Sequence, residues 1–551
     1  MFRTEKPWLA VYESGNVDPE TEVFDGSLYD LFIRAAEEHR GRNALRFYGT
    51  TFEFGRLQAL VEKVAASLAA SGVSKGDRVA LMLPNCPQYV ISFFATVKLG
   101  SVVTQINPMY VEREIEHILN DSGAETIVVY ADMYERVKTV LPETSLRTVV
   151  AVSFGDDPEG LDAGHQSFGD FLATDVAPAP DVQIDPTEDV AALQYTGGTT
   201  GVSKGAMLTH RNLVANLQQM IDVFIRNPGG VAGQKIVGAL PFFHIYGLTC
   251  VMLFGIKLGV EQVLLPRFEV EEALTVFAND RPTMFSGVPT MYMALLASGA
   301  DLRKHHLHDV KIFNSGGSAL PVNLKRSFEE KAGKPLFEGY GLSEASPVTH
   351  NNPPFLGEGR EGSIGIPIPS TDARIVDVQT GEREMPVGES GELIIKGPQV
   401  MKGYLNMPEE TATVLKDGWL HTGDVAKMDE DGYFYIVDRK KDMILASGYN
   451  VYPREVEEVL FEHPDVAEAV AIGVPDEYRG ETVKAFVVQR SGANTTEEEI
   501  LAFCKERLAT YKTPKSVEFR EDLPKSAVGK LLRRVLVDEE LARSGATPQG
   551  G

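Results

Sequence analysis

A ten-residue stretch from Thr196 to Gly205 concentrates side chains that could hold an anion. It contains four glycines, three threonines, a serine and Lys204. Glycines let the backbone curl so that successive N–H groups point at one anion, while the hydroxyls add donors and the lysine adds positive charge. The stretch follows an apolar strand pattern, Val190–Tyr195, and precedes a helix expected to begin near Thr209. This arrangement predicts a polyphosphate cradle.

The spacing in this stretch differs from that of a Walker loop, which requires Gly-x4-Gly-Lys-[Ser/Thr]. Ser203 precedes Lys204, and Gly205 follows it. Taken alone, a stretch rich in Gly and Thr is also typical of a plain surface loop. The choice between a cradle and a loop therefore depends on other segments of the chain.

Two later segments each end on an acidic residue. Phe337–Glu344 contains the aromatic ring of Tyr340, and Glu344 offers a hard oxygen ligand of the kind that Mg²⁺ prefers. Trp419–Asp424 ends on a carboxylate that could accept hydrogen bonds from two neighbouring hydroxyls. The alternative for both segments is a turn with a solvated acid, because exposed Glu and Asp are common.

Three further segments add glycine or charge. Asn314–Pro321 contains a Gly-Gly pair, a weak signal that occurs in many turns. Asp438–Asp442 is a run of five charged residues, which predicts a solvated joint rather than a buried strand. Leu523–Lys530 reads Pro-Lys-x3-Gly-Lys near its end, and its last lysine is either catalytic or simply solvated.

The elements that must position these residues follow from the hydrophobic pattern. Residues 56–152 alternate between helical and strand patterns, which predicts a mainly parallel sheet covered by helices. Residues 362–440 contain short strand patterns separated by Gly and Pro, which predicts antiparallel β structure. After 442, helix and strand patterns follow in a new order, and we expect a second domain there. The predicted division is 1–437, a joint at 438–442, and 443–551.

Composition narrows the class of protein. The 551 residues exceed what one core normally holds, and the apolar fraction of 43% is typical of a globular protein. A net charge of −25 argues against nucleic-acid binding, which needs a basic face. The three cysteines show no pair spacing, which argues against a disulfide framework and a zinc site. We expect a cytoplasmic protein, because no signal peptide or spanning segment is apparent.

Set together in this order, the segments resemble those of the adenylate-forming superfamily, which includes acyl-CoA synthetases, firefly-type luciferases and the adenylation domains of peptide synthetases. The resemblance covers nearly the whole chain and is closest to bacterial medium- to long-chain fatty acyl-CoA synthetases. It departs from the family at Ser203, where proline is usual, and at Ser343, where threonine is more frequent. The implied fold is α/β with a β-barrel-like part and a small, mobile α+β C-terminal domain.

The resemblance implies roles for individual residues. Lys530 and His244 are the implied catalytic residues, Thr199 and Glu344 the implied Mg²⁺ ligands, and Lys441 the hinge. The residues implied to bind ATP or coenzyme A are Thr196, Gly197, Gly198, Thr199, Thr200, Gly201, Lys204, Gly316, Gly317, Glu338, Gly339, Tyr340, Gly341, Ser343, Asp424, Ile436, Arg439, Lys441 and Gly448.

The implied reaction has two halves. A carboxylate first attacks the α-phosphorus of ATP, with Lys530 bridging the two anions, and the thiol of coenzyme A then displaces AMP after the small domain rotates. Pro241–Gly247 matches the segment beside the acid, and it contains no acidic residue that could hold a substrate ammonium group. We therefore expect a hydrophobic acid, such as a fatty acid of medium or long chain.

Alternatives remain at this point. An aromatic acid, as in coumarate–CoA ligases, stays open, and so does a fatty acyl-AMP ligase that does not use coenzyme A. A luciferase-like monooxygenase would need a specialised substrate to which nothing points. A regulator that binds nucleotide without turnover is disfavoured by the joint presence of Glu344, Asp424 and Lys530. The resemblance also allows peripheral membrane contact and a homodimer.

Overall fold

The computed structural model describes residues 6–156, 158–196, 203–226, 230–440, 442–446, 449–476, 480–526 and 529–544. The strands are β1 (Asn43–Phe47), β2 (Thr50–Glu53), β3 (Arg78–Met82), β4 (Val102–Gln105), β5 (Thr126–Tyr130), β6 (Thr148–Val152), β7 (Gln166–Ser167), β8 (Val190–Thr196), β9 (Lys204–Thr209), β10 (Lys235–Gly238), β11 (Glu261–Leu264), β12 (Met284–Gly287), β13 (Ile312–Ser315), β14 (Leu336–Gly341), β15 (Val348–Asn351), β16 (Ile366–Pro367), β17 (Asp372–Val376), β18 (Gly391–Lys396), β19 (Gly403–Tyr404), β20 (Leu415–Lys416), β21 (Trp419–Met428), β22 (Phe434–Arg439), β23 (Ile444–Ala446), β24 (Tyr449–Val451), β25 (Val466–Asp476), β26 (Gly480–Gln489) and β27 (Ser516–Phe519).

The helices are α1 (Leu9–Gly15), α2 (Leu28–Glu38), α3 (Phe54–Ala70), α4 (Pro87–Lys98), α5 (Glu112–Ser122), α6 (Tyr134–Val140), α7 (Phe168–Ala173), α8 (His210–Phe224), α9 (Ile245–Gly247), α10 (Phe254–Lys257), α11 (Val270–Asp280), α12 (Pro289–Ala297), α13 (Val322–Ala332), α14 (Pro408–Val414), α15 (Pro453–Glu462), α16 (Glu497–Arg507) and α17 (Arg533–Ser544). A π-helix over Leu248–Leu253 joins α9 to α10, and Ser343–Ala345 forms a short 3-10 helix.

Two large sheets form the greater part of the molecule. The first has eight strands in the described residues, in the order β19-β9-β8-β4-β3-β5-β6-β7, and its strands from β8 to β7 run parallel. The second has nine, in the order β16-β15-β14-β13-β12-β10-β11-β1-β2, with a parallel centre from β14 to β1. The prediction of mainly parallel βα layers is therefore confirmed.

Two smaller sheets complete the fold. Strands β17, β18, β21 and β20 form an antiparallel sheet, with β22 added on β21. In the described residues these strands stay open, so the expected barrel-like part is an open antiparallel sheet. The fourth sheet, β24-β23-β26-β25 with β27 on β26, belongs to a separate C-terminal α+β part whose two apolar clusters are drawn from residues 444–536.

Local sequence signals explain where helices begin and end. Pro87 starts α4, where its missing N–H would have no helical partner. Gly100 follows the same helix in a left-handed conformation with φ +64°, as a residue without Cβ readily does. At the start of α8, the Thr209 hydroxyl accepts the Asn212 N–H at 3.2 Å, and the Asn212 side chain accepts the Thr209 N–H at 2.9 Å. This capping box fixes the turn between β9 and α8.

The expectation that the charged run 438–442 is solvated and outside any buried strand is wrong at Asp438. Strand β22 continues through Asp438 and Arg439, and the Asp438 side chain is only 4% exposed. The charge is tolerated there because residues of the C-terminal part, Arg454 and Arg533, supply an N–H donor and a guanidinium group. A rule about charge runs within one strand could not foresee partners from so far along the chain.

Candidate active site

The glycine-rich stretch is anchored at both ends by the first sheet. Thr196 ends β8 and pairs with Lys204, which begins the antiparallel strand β9. Gly197, Gly198, Thr199, Thr200 and Gly201 lie outside the described residues, so the predicted phosphate contacts stay predictions. Helix α5 braces the two ends of the stretch, because His117 Nε2 lies 3.0 Å from the Ser203 carbonyl oxygen and the Tyr195 hydroxyl donates to Asp121 at 2.7 Å.

Lys204 is buried and already has an anionic partner. Its ammonium group forms an ion pair with Glu410 and lies 5.5 Å from the centre of the Tyr404 ring. The predicted contact between this lysine and a phosphate therefore requires the ammonium group to exchange Glu410 for the nucleotide. A buried lysine of this kind gains from any anion that replaces its partner at close range.

Glu344 is joined to the same neighbourhood through Tyr404. The Tyr404 hydroxyl donates to Glu344 Oε1 at 2.8 Å, and the Glu344 carbonyl oxygen accepts the Met401 N–H at 2.8 Å. The carboxylate is half-buried on the short helix that starts at Ser343. A fixed carboxylate of this kind fits Mg²⁺, which is bound in proteins through one or two carboxylates together with substrate phosphates.

Asp424, Tyr340 and Arg439 are brought together at the junction of two sheets. Asp424 and Arg439 are register partners on β21 and β22, and Arg439 Nε lies 3.4 Å from Asp424 Oδ1. The Tyr340 hydroxyl, from β14, donates to Asp424 Oδ2 at 2.5 Å. The contact from arginine is longer than an ordinary hydrogen bond, so Oδ1 can accept a stronger donor. Burial together with the Asp424 carboxylate holds the pKa of Tyr340 well above its usual range, so the hydroxyl keeps its proton.

The predicted glycines lie at the carboxyl ends of two neighbouring parallel strands, β13 and β14. Gly316 and Gly317 directly follow β13, and a Cβ on Gly316 would stand 3.2 Å from the Tyr246 ring. Gly339 and Gly341 lie in β14, and a Cβ on Gly339 would stand 2.3 Å from Asn351 Oδ1. A side chain at 339 would therefore force Asn351 to move, and a side chain at 316 would press against the Tyr246 ring.

Glu338 and Ile436 have protein partners in the structure, and their predicted nucleotide contacts stay predictions. Glu338 is buried, and its Oε1 accepts the Leu320 N–H at 3.2 Å. Burial raises the pKa of Glu338 to about 7, and the nearby Arg454 guanidinium limits the rise. The Ile436 carbonyl oxygen accepts a hydrogen bond from Arg454 NH1 at 2.8 Å. Both residues therefore contact or face helix α15 of the C-terminal part.

His244 and Lys530 come together although they are far apart in the sequence. The Tyr246 N–H donates to His244 Nδ1 at 3.2 Å, which leaves Nε2 to carry the proton of the neutral ring. Burial lowers the pKa of His244 to about 4, and the positive charge of Lys530 adds to this effect. Gly529 packs so closely on Thr290 that a Cβ would stand 2.3 Å from the threonine hydroxyl oxygen. The turn that carries Lys530 is therefore seated on the large domain beside His244.

Lys441 and Gly448 lie outside the described residues, so their predicted roles stay predictions. The sequence also gave no signal for Tyr404, Arg454 or Arg533, which contact predicted site residues or the charged run. Arg533 lies three positions after Lys530, in the sequence Lys-Leu-Leu-Arg. Its place in the same helix-starting segment is a signal of position, although nothing in the sequence identifies its partners.

One surface group of the described residues has side chains of the kind that bind metals. His306, His308 and Asp309 form a surface group whose potential ligand atoms lie within 4.8 Å of one another. Arg281 NH1 donates to Asp309 Oδ2 at 2.8 Å and already neutralises that carboxylate, so we assign no metal to the group. No helix in the described ranges combines the length and apolar character needed to cross a bilayer.

Comparisons with known proteins agree with the geometry. Residues 32–405 match the family model described as AMP-binding enzyme, and residues 455–530 match the AMP-binding enzyme C-terminal domain. The chain therefore belongs to the AMP-binding enzyme family.

The relatives share this architecture over nearly their whole length. The chain is 46% identical to a long-chain-fatty-acid–CoA ligase of Bacillus subtilis, over 98% of this chain and 99% of the relative. It is 40% identical to the ligase of the same name from Salmonella typhimurium, over 97% and 98%. Among solved structures, ATP-bound MatB from Rhodopseudomonas palustris superposes with a TM-score of 0.84 at 31% identity, covering 93% of this chain and 98% of that one.

Proposed function

We propose that this protein is an ATP-dependent fatty acid–CoA ligase of the AMP-forming type, acting on long-chain acids. The main supporting observation is that Gly529, next to Lys530, packs on Thr290 of the large domain, with the Lys530 charge close enough to lower the pKa of His244. The chain is also similar along its length to long-chain-fatty-acid–CoA ligases. Adenylation needs a cation at this place, because two anions must approach each other there.

The first half-reaction joins the acid to AMP. A carboxylate oxygen attacks the α-phosphorus of ATP, the bond to the β-phosphate oxygen breaks, and pyrophosphate leaves. The ammonium group of Lys530 lies between the carboxylate and the α-phosphate and stabilises the charge that develops. His244 stays neutral at ordinary pH, so its Nε2–H donates to the carboxylate without changing charge.

The nucleotide is held by the large domain. The Asp424 carboxylate accepts hydrogen bonds from the ribose hydroxyls, and Arg439 makes a second contact with the ribose. The Tyr340 ring stacks on adenine. Thr199 and Glu344 are the residues that would hold Mg²⁺, which neutralises phosphate charge and favours the departure of pyrophosphate. Positioning and charge stabilisation carry such transfers, with little covalent help from the protein.

The second half-reaction transfers the acyl group to coenzyme A. The thiol attacks the acyl carbonyl carbon, the bond to the AMP oxygen breaks, and the thiol proton leaves to solvent. We propose that residues 438–442 are the hinge, that Lys441 is the residue about which the C-terminal part rotates, and that this rotation withdraws Lys530. The segment that contains Gly448 then faces the pantetheine chain.

The acid itself is assigned from the segment beside His244. Residues 241–247 contain no acidic side chain, and Leu248–Leu253 continues as a buried, mainly apolar π-helix. Such a wall has no group to hold an ammonium ion and favours an alkyl chain. This supports a fatty acid over an amino acid.

The test is release of AMP from ATP, measured with and without coenzyme A, using acetate, butyrate, octanoate, palmitate, benzoate and coumarate. We expect turnover that depends on coenzyme A and is fastest with palmitate. Turnover only with coumarate or benzoate would show that the substrate is an aromatic acid and not a fatty acid. Formation of acyl-AMP without any thioester would leave a fatty acyl-AMP ligase.

A further inference from the structure

The carboxylate of Asp438, on strand β22, faces away from the proposed nucleotide site. Asp438 and Arg439 are neighbours on this strand, so their side chains point to opposite faces. Arg439 contacts Asp424 on one face, while Asp438 is buried on the other against the C-terminal part. Its Oδ2 accepts the Arg454 N–H at 2.8 Å, and Arg533 NH1 lies 3.6 Å from its Oδ1.

Arg533 connects this carboxylate to the segment that carries Lys530. Its NH1 donates to Asp442 at 2.9 Å and its NH2 donates to Glu457 at 2.6 Å. Its Nε donates to the Ala471 carbonyl oxygen at 3.1 Å. One guanidinium group thus ties together the proposed hinge, helix α15, strand β25 and the start of α17. Planar guanidinium groups suit such multiple recognition, and a lysine does not reproduce it.

Arg533 supplies positive charge to a group of three carboxylates. Asp438, Asp442 and Glu457 all lie within 3.6 Å of Arg533, so its removal would leave three carboxylates close together. Burial already raises the pKa of Asp438 to about 6, and Arg533 opposes that rise. A buried carboxylate that loses its cationic partner destabilises the folded state, because no attraction then offsets the loss of its hydration.

The contacts of Asp438 join parts of the chain that the proposed rotation separates. Asp438 precedes Lys441, whereas Arg454 and Arg533 follow it. The hydrogen bond from Arg454 to the Ile436 carbonyl oxygen also joins the two sides. These contacts hold the C-terminal part in the orientation that brings Lys530 to His244.

We propose that Asp438 and Arg533 act as a latch that holds the molecule in its adenylating orientation. They are positioning residues, since they touch neither the acid nor the nucleotide. The inference rests on the proposed function, and its consequence is specific. The latch must hold during formation of the acyl adenylate and must open before the thiol can attack.

The experiment compares the two half-reactions in Asp438→Asn and Arg533→Gln variants of the full chain. Pyrophosphate release with ATP and palmitate reports the first step, and thioester formation from supplied palmitoyl-AMP and coenzyme A reports the second. We expect the first rate to fall about 10- to 100-fold, the range that a displacement of about 1 Å can cost. We expect the second rate to stay within about twofold, because the latch is open in that step.

The matched control is Arg534→Gln on the neighbouring residue of α17. The Arg534 side chain is 57% exposed and pairs with Asp538 on its own helix at 3.7 Å. We expect no change in either step. Arg533→Lys should recover part of the first rate, and the double variant Asp438→Asn, Arg533→Gln should lose no more than the worse single variant, because the two residues act as one unit.

A third readout separates failure of the latch from failure of the proposed function. Without substrates, trypsin should cleave within residues 438–442 faster in the Asp438→Asn and Arg533→Gln variants than in the wild type or Arg534→Gln. Equal cleavage rates, or equal losses in both half-reactions, would overturn the latch. If the wild type forms no adenylate with any of the acids, the proposed function is overturned. The proteolysis result alone then tests whether the latch exists.

Discussion

The paired strands β21 and β22 present two faces that carry similar groups and serve different purposes. On one face, Asp424 is contacted by Tyr340 and Arg439, which all precede Lys441 in the chain. On the other face, Asp438 is contacted by residues that follow Lys441. Because side chains alternate along a strand, neighbouring residues can serve a ligand site and a domain contact without sharing partners.

The two faces differ in which contacts would persist when the C-terminal part rotates. The side-chain contacts of Asp424 all come from residues before Lys441, and we expect them to persist in both half-reactions. The contacts of Asp438 with Arg454 and Arg533 cross the proposed hinge, and we expect them in one orientation only. Substitutions on the nucleotide face should therefore affect both steps, whereas substitutions on the latch face should affect one.

The largest effect is expected from the residue that the latch positions. Lys530→Ala should reduce pyrophosphate release about 10²- to 10³-fold, the usual cost of losing one group that stabilises a developing charge. Thioester formation from supplied palmitoyl-AMP should be largely intact, because Lys530 is withdrawn in that step. Stopped-flow assays of the two steps check this, and equal loss in both would contradict a division of labour by rotation.

Asp424→Asn should give the next largest effect and should not separate the steps. A hydrogen bond to a charged group contributes about 1.5–3 kcal/mol, so kcat/KM should fall about 10- to 100-fold in each half-reaction. Glu430→Gln, at an exposed acidic residue close in the sequence, is the control and should leave kcat/KM unchanged in both half-reactions. Loss in adenylation alone would show that Asp424 belongs with the latch.

Tyr340→Phe should produce a smaller change on the same face. The substitution keeps the ring for stacking and removes the hydroxyl that donates to Asp424. Asp424 keeps its charge and stays in place for the ribose, so we expect a smaller effect, a rise of about 2- to 10-fold in the KM for ATP with little change in kcat. Steady-state kinetics over a range of ATP concentrations measures this, and an unchanged KM would remove the hydroxyl from the nucleotide site.

The smallest effect concerns the free energy of unfolding at the contact between the two parts. Glu338 has a pKa of about 7 in the folded state, above its unfolded value, so its ionisation opposes folding more as pH rises. Glu338→Gln should therefore be more stable than the wild type at pH 8, and the difference should shrink as the pH falls towards 4.5.

Glu361→Gln is the control, and its effect on the free energy of unfolding should have the opposite sign. Arg326 holds the pKa of Glu361 below its usual range, so ionisation of Glu361 favours folding. Glu361→Gln should be slightly less stable at pH 8 than the wild type. Urea denaturation at both pH values measures the two differences, and a lower stability of Glu338→Gln at pH 8 would contradict the burial cost assigned to Glu338.

Much of this organisation could be predicted from the sequence, and the exceptions have physical causes. The pattern of apolar residues located α3, α4 and the strand β3 between them, because apolar spacing reflects burial. The approach of Lys530 to His244 was implied by a family resemblance and not by any local pattern. The burial of Asp438 was missed because its partners, Arg454 and Arg533, come from distant parts of the chain. Lys204 was expected to face a phosphate, and its pairing with Glu410 likewise depends on a remote residue.

The most direct test of the account is a single-turnover experiment with excess enzyme, ATP, Mg²⁺ and palmitate, followed by addition of coenzyme A. Mass spectrometry should detect palmitoyl-AMP and an equal amount of pyrophosphate before the addition. Afterwards the adenylate should convert one for one into palmitoyl-CoA and AMP. Release of ADP and phosphate, or appearance of the thioester without a preceding adenylate, would contradict the account.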